Sequence, residues 1–453
     1  MEERDGRQMA TRQKKRRIIP PMFQWDPGPW SQLLIEWLAT LGVIIVFGLV
    51  MLYSASYTTG YLRMGSSLHY IGVQLIYTGI GLGIMFVMSF VDHRFLRWAA
   101  KPAYWVVLAL LAFTLTFAPL NGCRRWIRMF GVTLQTSELA KFELILLCSG
   151  IAAKAGRPEL KKGQRLTTKD WFRIRFRQQL LYPVLPIIPV AALLILEPHM
   201  SAIILTTAII GSILLLTGCG GIFPWACIGV AAVAAKPLLY LAKAVVQTFG
   251  TEYMQGRLDS WLGHEEMKDQ TLQSLYAIGS GGLTGRGLGN SVEKQLWLPE
   301  SNNDFIFSVV CEELGFIGAV LIIILFVVFI VQGLMIAYRA ENLYCTMVGI
   351  GIMAQIAWQV FCNIAVVTNT IPNTGISLPF FSSGGTSLVL LLAEMGVMVN
   401  IGRNGERAAQ QREAARAARE AQLQERTIDL EAARRARSEE RRVGKECRSR
   451  WSP

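Results

Sequence analysis

Uncharged apolar runs recur along this chain, at residues 41–53, 180–196 and 321–331 among others, and no other feature restricts its fold as strongly. A helix needs about 20 mostly apolar residues to cross a bilayer, and only helices and closed barrels satisfy their own backbone there. Of the 453 residues, 52% are hydrophobic and 17% charged, against about 25% charged in a soluble domain. These proportions exclude a soluble globular enzyme, a secreted disulfide scaffold and a disordered chain. Ten spans are predicted, at residues 32–54, 70–91, 99–117, 137–153, 180–196, 201–217, 221–245, 304–336, 344–366 and 386–401. The expected architecture is an all-α polytopic membrane protein with ten transmembrane helices. A large extracytoplasmic loop, residues 247–303, is expected between helices 7 and 8.

Charge then orients the bundle. Lysine and arginine number 45 against 32 aspartates and glutamates, a net +13. The excess sits in three segments: residues 1–22 carry seven basic and three acidic side chains, 154–177 nine and two, and 403–453 fourteen and nine. Basic loops between apolar spans are the positive-inside signal, a simpler reading than nucleic-acid binding, so no nucleic-acid partner is expected. An even number of spans puts all three segments on one side, with Arg94, Arg97, Lys101 and Arg339. Both termini are therefore expected in the cytoplasm. Residues 1–31 read as a basic N-terminal segment, 32–402 as the transmembrane domain and 403–442 as a charged helical tail. Residues 443–453 break that composition abruptly and read as vector-derived. None of the eight cysteines has zinc-site or disulfide-framework spacing.

Ionisable groups at membrane depth are costly and mark functional candidates by default. Glu138 and Lys141, three apart at the start of the fourth span, share a helix face and can pair. Glu197 and His199 follow the fifth span, Lys236 and Lys243 lie in the seventh, Glu312 and Glu313 in the eighth, and Glu394 in the tenth. Each has a plainer reading as an ion pair, a packed carboxylate or a snorkelling lysine. Arg124, Arg125 and Arg128 lie in an outer loop, against the charge trend, which suits either an anionic ligand or interfacial snorkelling. Asp304 follows a polar run and heads the eighth span at the outer boundary. There it reads equally as an N-cap or as a carboxylate shielded from water yet open to a polar headgroup. The glycine-rich stretch 279–289 lacks Walker spacing and a preceding strand. It reads as a tight turn near a ligand, where glycine permits close backbone approach.

Three separated stretches carry a resemblance: GLGNSVEKQLWLPESNNDFIFSVVCEELGFIG (287–318), NTGISLPFFSSGGTSL (373–388) and RRWIRMFGVTLQTSELAK (124–141). In that order they resemble the signatures of the SEDS family of FtsW, RodA and SpoVE, over about residues 32–402. The wording of GLGNS and ISLPFFSSGG is nearer FtsW and SpoVE than RodA. The resemblance implies a peptidoglycan glycosyltransferase of the bacterial cytoplasmic (inner) membrane, acting in cell division or sporulation. Such an enzyme polymerises lipid II into β-1,4 glycan at the outer face of that membrane and releases undecaprenyl pyrophosphate. The implied partners are lipid II, membrane lipid, a class B penicillin-binding protein transpeptidase and other divisome proteins.

The family's essential aspartate falls on Asp304. Substrate-binding positions fall on Arg125, Trp126, Gln135, Ser137, Glu138 and Lys141, and on Pro379, Ser382, Gly384 and Gly385 in the GISLPFFSSGG loop. Lys294 is a further candidate cation. Two departures matter: Asn302 and Asn303 stand where many members have His-Thr before the aspartate, and Glu197-Pro198-His199-Met200-Ser201 stands where many have an aspartate-containing sequence after the fifth span.

Glycosyl transfer needs a base for the acceptor 4-hydroxyl, the role expected of Asp304, and positive charge for the leaving pyrophosphate. A divalent cation, Mg or Mn, is one source of that charge, but no clustered carboxylates demand one and no metal ligands are assigned. The competing readings are a lipid II flippase or other transporter, and a non-enzymatic divisome scaffold. Transport predicts midplane ionisable groups and inverted repeats, and no internal repeat is visible.

Overall fold

The protein is described from a computed structural model, which covers residues 20–25, 28–117, 125–129, 132–155, 172–197, 199–219, 221–222, 224–227, 229, 261 and 269–450. Its helices are α1 (Gln32–Met64), α2 (His69–Met88), α3 (His93–Thr114), α4 (Thr136–Ala155), α5 (Ile187–Leu196), α6 (Met200–Leu216), α7 (Asp269–Gly281), α8 (Ile306–Tyr338), α9 (Leu343–Val367) and α10 (Gly385–Arg450). A two-stranded hairpin, β1 (Trp126–Met129) and β2 (Val132–Gln135), leads directly into α4. Among the described residues, seven helices are long and apolar enough to cross a membrane. The predicted seventh span, 221–245, lies almost wholly outside the described residues, as do Arg124, Lys236, Lys243 and most of the first half of the 247–303 loop.

Several elements depart from expectation for identifiable reasons. The first span extends ten residues beyond residue 54, because α1 continues to Met64 and stops only at Gly65 (φ 70°). Its 33 residues make about 50 Å of helix, more than the roughly 30 Å of a hydrocarbon core. The fifth span is not one regular helix. A π-helical stretch, Ile174–Leu181, precedes Pro183 and Pro186, and regular α5 starts at Ile187, since each proline removes a backbone donor. The tenth span does not end at residue 401, and α10 runs on through the charged tail.

Helix α9 forms the centre, with Met347, Ile350, Ile352, Met353 and Ile356 fully buried. At Gly351 an added Cβ would sit 2.7 Å from Ile145 and 2.8 Å from Ile213, so the missing side chain lets α4 and α6 close on α9. On the other flank Trp37 of α1 stacks on Phe329 of α8, ring centroids 5.1 Å apart.

Helix α8 is broken at Gly315 (φ 69°, ψ −171°), and the glycine-rich stretch fills the break. Arg286 and Gly287 donate backbone N–H groups to Glu312 O and Glu313 O, both at 2.9 Å, while Phe316 N donates to Gly282 O at 2.9 Å. This stretch therefore approaches a helix backbone closely, which is what its glycines permit. The carboxylates beside the break are fully buried and hold the following loop. Glu312 accepts from Ser291 Oγ at 2.5 Å and Val292 N at 2.9 Å, and its Oε1 lies 3.4 Å from Arg286. Glu313 accepts from Ser54 Oγ at 2.7 Å and Lys294 Nζ at 2.6 Å, and Lys294 also donates to Ser54 Oγ at 3.0 Å.

Removing one partner of a buried ion pair strands the other charge, at a cost of about 3–5 kcal/mol. Lys294→Ala is therefore expected to lower the thermal midpoint in detergent sharply. Lys294→Met combined with Glu313→Gln should recover most of that loss, as a double-mutant cycle would measure.

Candidate active site

The hairpin, the head of α4, the entry to α8 and the 373–385 loop meet around a polar cavity of about 620 Å³. Trp126 pairs with Gln135 and Arg128 with Thr133 across the hairpin, and the Thr386 hydroxyl donates to Thr133 O at 2.7 Å, tying the hairpin to the start of α10. Inside α4, Glu138 and Lys141 form the expected ion pair at 2.8 Å, with Lys141 only 2% exposed. The opposite wall carries Asp304, in the turn before α8. Phe305, not Asp304, occupies the N-cap position, and it makes no side-chain cap bond.

That wall is built from helix α9. Asn363 Nδ2 donates to Asp304 O and to Ile376 O, both at 2.7 Å, fixing the aspartate turn and the neighbouring loop with one amide. Ser382 Oγ donates to Asn303 O at 2.8 Å and accepts from Leu378 N at 2.9 Å, and Ser383 N donates to Asn302 O at 2.9 Å. Between these contacts Phe380 is held at φ 65°, a left-handed conformation that a bulky residue adopts only under constraint.

Asp304, Arg125, Trp126, Gln135, Glu138, Lys141 and Gly384 all line this cavity. Other sequence candidates are elsewhere. Lys294 is 4% exposed and consumed by Glu313 and Ser54, because burial against α8 removes it from any headgroup. Ser137 is buried beneath the head of α4. Pro379 and Ser382 line a small adjoining void with Glu138 and Gln359. Gly385 packs against the Tyr77 ring, 2.6 Å from where a Cβ would be.

The cavity also gathers polar residues the motifs did not mark, notably Gln359 and His199. Gln355, Gln359 and Asn363 recur every four residues in an otherwise apolar helix, which puts them on one face. That spacing was a readable signal. Gln355 donates to Glu394 at 3.0 Å, Gln359 reaches the cavity, and Asn363 holds the aspartate turn. Among the described residues no group of three or more His, Cys, Asp or Glu side chains is placed to hold a metal.

Electrostatically the cavity is cationic on the hairpin side. Burial, with Arg125 and Lys141 adding to it, holds His199 well below its ordinary value, so the imidazole is neutral at physiological pH. Burial pushes the Glu197 carboxyl up to about 7, against the opposing effects of the Thr114 hydroxyl that bonds it and of Arg125.

A helical membrane bundle in which a carboxylate, an arginine and a lysine line one polar cavity is a multi-pass membrane protein with charged groups of both signs gathered at a single site. The chain belongs to the FtsW/RodA/SpoVE family: the family model described as cell cycle protein matches residues 35–407. It is 34% identical over 371 residues to stage V sporulation protein E of Bacillus subtilis, covering 80% of this chain and 94% of that one. It is 34% identical over 366 residues to a probable peptidoglycan glycosyltransferase FtsW of Coxiella burnetii, covering 79% and 93%. Among solved structures, the crystal structure of Thermus thermophilus rod shape determining protein RodA superposes with a TM-score of 0.57 at 24% identity, covering 84% of this chain and 98% of that one. A chain from a peptidoglycan synthase complex, described for its coordination of polymerization and crosslinking, superposes with a TM-score of 0.64 at 24% identity, covering 83% and 99%.

The raised Glu197 value has a signed consequence. Between its ordinary 4.5 and about 7 the folded state holds a proton that the unfolded state has released, so stability falls as pH rises through that window. The total is at most about 3.5 kcal/mol, at about 1.4 kcal/mol for each pH unit. Glu197→Gln should flatten thermal stability between pH 5 and 7 in a detergent melting series, to the extent of roughly that amount.

Proposed function

We propose that this protein is a peptidoglycan glycosyltransferase that polymerises lipid II at the outer face of the bacterial cytoplasmic membrane, in cell division or sporulation. The observation that carries this reading is the single cavity shared by Asp304 with Arg125 and Lys141. A carboxylate there can take the proton from the acceptor 4-hydroxyl as the oxygen attacks the anomeric carbon of the donor sugar. The bond to the donor pyrophosphate breaks in the same step, and the departing charge falls to the cationic side of the cavity. Arg125 and Lys141 supply that charge, and Glu138 holds Lys141 in place through their 2.8 Å ion pair. Trp126 offers a flat apolar face beside them for a sugar ring or an isoprenoid stem.

The orientation that suits this chemistry puts the cavity outside and the basic N-terminal segment and α10 tail in the cytoplasm, and the lysine and arginine distribution supports it. The relatives named for peptidoglycan glycosyltransferase activity, and the fold shared with a chain of a peptidoglycan synthase complex, support lipid II as substrate and a class B penicillin-binding protein as partner. Pyrophosphate can be neutralised by these side chains alone or with a divalent cation. Because Asn302 and Asn303 precede the aspartate, a role for the histidine that many family members carry at that position does not transfer to this chain.

The purified full chain, reconstituted with its transpeptidase partner and given labelled lipid II, should produce glycan ladders on a gel. Asp304→Asn keeps the shape and loses the base, so polymerisation should fall by roughly 10²–10⁴-fold with the thermal midpoint unchanged. Full polymerisation by Asp304→Asn would remove the aspartate from the chemistry. Lipid II crossing a vesicle bilayer without polymer formation would assign transport instead.

A further inference from the structure

At the far end of α4 from the polar cavity lies a second cavity, of about 510 Å³. Helix α4 lines the first cavity near its head, with Glu138 and Lys141, and the second along its later half, from Leu146 to Ala155, so the two lie toward opposite ends of one 20-residue helix. Three cations line the second cavity, Arg97 and Lys101 from α3 and Lys154 from α4, and no carboxylate among the described residues does. A further cation stands at its edge, where Arg177 lies over the ring of the lining residue Tyr182, 5.5 Å from its centroid.

The arginine of this group is positioned. Arg97 Nη2 donates to Gly150 O at 3.2 Å, and its guanidinium lies 5.5 Å from the centroid of the Tyr344 ring. Tyr344 is 3% exposed, and its phenol has no hydrogen-bond partner among the described residues. Leu146, Leu147 and Ile151 of α4, with Ala100 of α3, give the cavity an apolar wall, and Gln178 and Tyr182 complete its lining.

A cationic mouth on an apolar trough at the membrane edge fits one ligand chemistry, a phosphate group carrying a hydrocarbon tail. We propose that this cavity is a binding site for an anionic glycerophospholipid, with the phosphate held by Arg97, Lys101 and Lys154 and an acyl chain along Leu146, Leu147 and Ile151. Basic pockets between membrane helices bind acidic headgroups, and the leaflet on the positive side is the one rich in them. A free phosphate has the same headgroup chemistry but no use for the apolar trough. The site does not depend on the polymerase reading, since it shares no residue with the polar cavity.

The test titrates the detergent-purified full chain with phosphatidylglycerol or phosphatidylcholine and counts bound lipid by native mass spectrometry. Phosphatidylglycerol should bind more tightly than phosphatidylcholine. The triple variant Arg97→Gln, Lys101→Gln, Lys154→Gln should bind phosphatidylglycerol about 100-fold more weakly, at roughly fivefold for each cation. Lys154→Glu changes only an exposed side chain in the last helical turn, so it should keep the wild-type thermal midpoint. It should still weaken phosphatidylglycerol binding at least about fivefold. Equal binding of the two lipids by the wild type, or unchanged phosphatidylglycerol binding in both variants, would overturn the proposal. Displacement of the lipid by millimolar inorganic phosphate would overturn it in favour of a soluble anion.

Discussion

One side-chain amide holds the functional face together. Asn363, buried in the most enclosed helix of the bundle, spans two backbone carbonyls that no helix satisfies, those of Asp304 and Ile376. Irregular backbone at membrane depth is tolerated only where protein closes over it and supplies its hydrogen bonds. The aspartate turn and the loop opposite are both irregular, so each needs donors from a neighbour. Asn363 serves both at once, and the position of a carboxylate thereby becomes a property of the packing of α9. Ser382 and Ser383 extend the same arrangement, so the turn is fastened to its neighbours rather than suspended between them.

A parallel solution operates where α8 breaks. The carbonyls exposed at Gly315 are met by backbone donors of the glycine-rich stretch, and two buried glutamates gather the donors of the loop that follows. The charge of Glu313 is answered by Lys294 and that of Glu312 by Arg286. Fixing this loop also fixes the direction from which the chain arrives at Asp304. The network that looks catalytic by composition is thus a scaffold, and the catalytic candidates stand in a cavity it does not line.

Seven spans among the described residues were legible because apolar runs of the right length have few other folds in lipid. Their ends were less so: hydropathy does not report that α1 continues beyond residue 54, nor that Pro183 and Pro186 replace one long helix by a π-helical stretch and a shorter α5. On the functional side, Asp304, Arg125, Trp126 and Lys141 were found through motif resemblance, because no local rule separates a catalytic carboxylate from an N-cap. Lys294 shows the limit of that route: a cation in a matching motif gives no information about what burial does to it. The stripe of Gln355, Gln359 and Asn363 was readable from spacing alone, since polar residues at every fourth position of an apolar helix must face something polar. His199 was visible as a departure from the family pattern, but its neutral state follows from burial beside two cations, which only the packed structure supplies.

Helix α10 begins at the rim of the polar cavity, where Thr386 grips the hairpin, and continues without interruption to Arg450. At 1.5 Å per residue, its 66 residues form a rod of about 100 Å that pierces the bundle and projects far from the opposite face. Arg403 anchors it near the exit by donating to Gly28 O at 2.8 Å. One uninterrupted element therefore carries both the contact with the hairpin at Thr386 and the contact with Gly28 at Arg403, so the rim of the polar cavity and the root of the charged tail share a single rigid support.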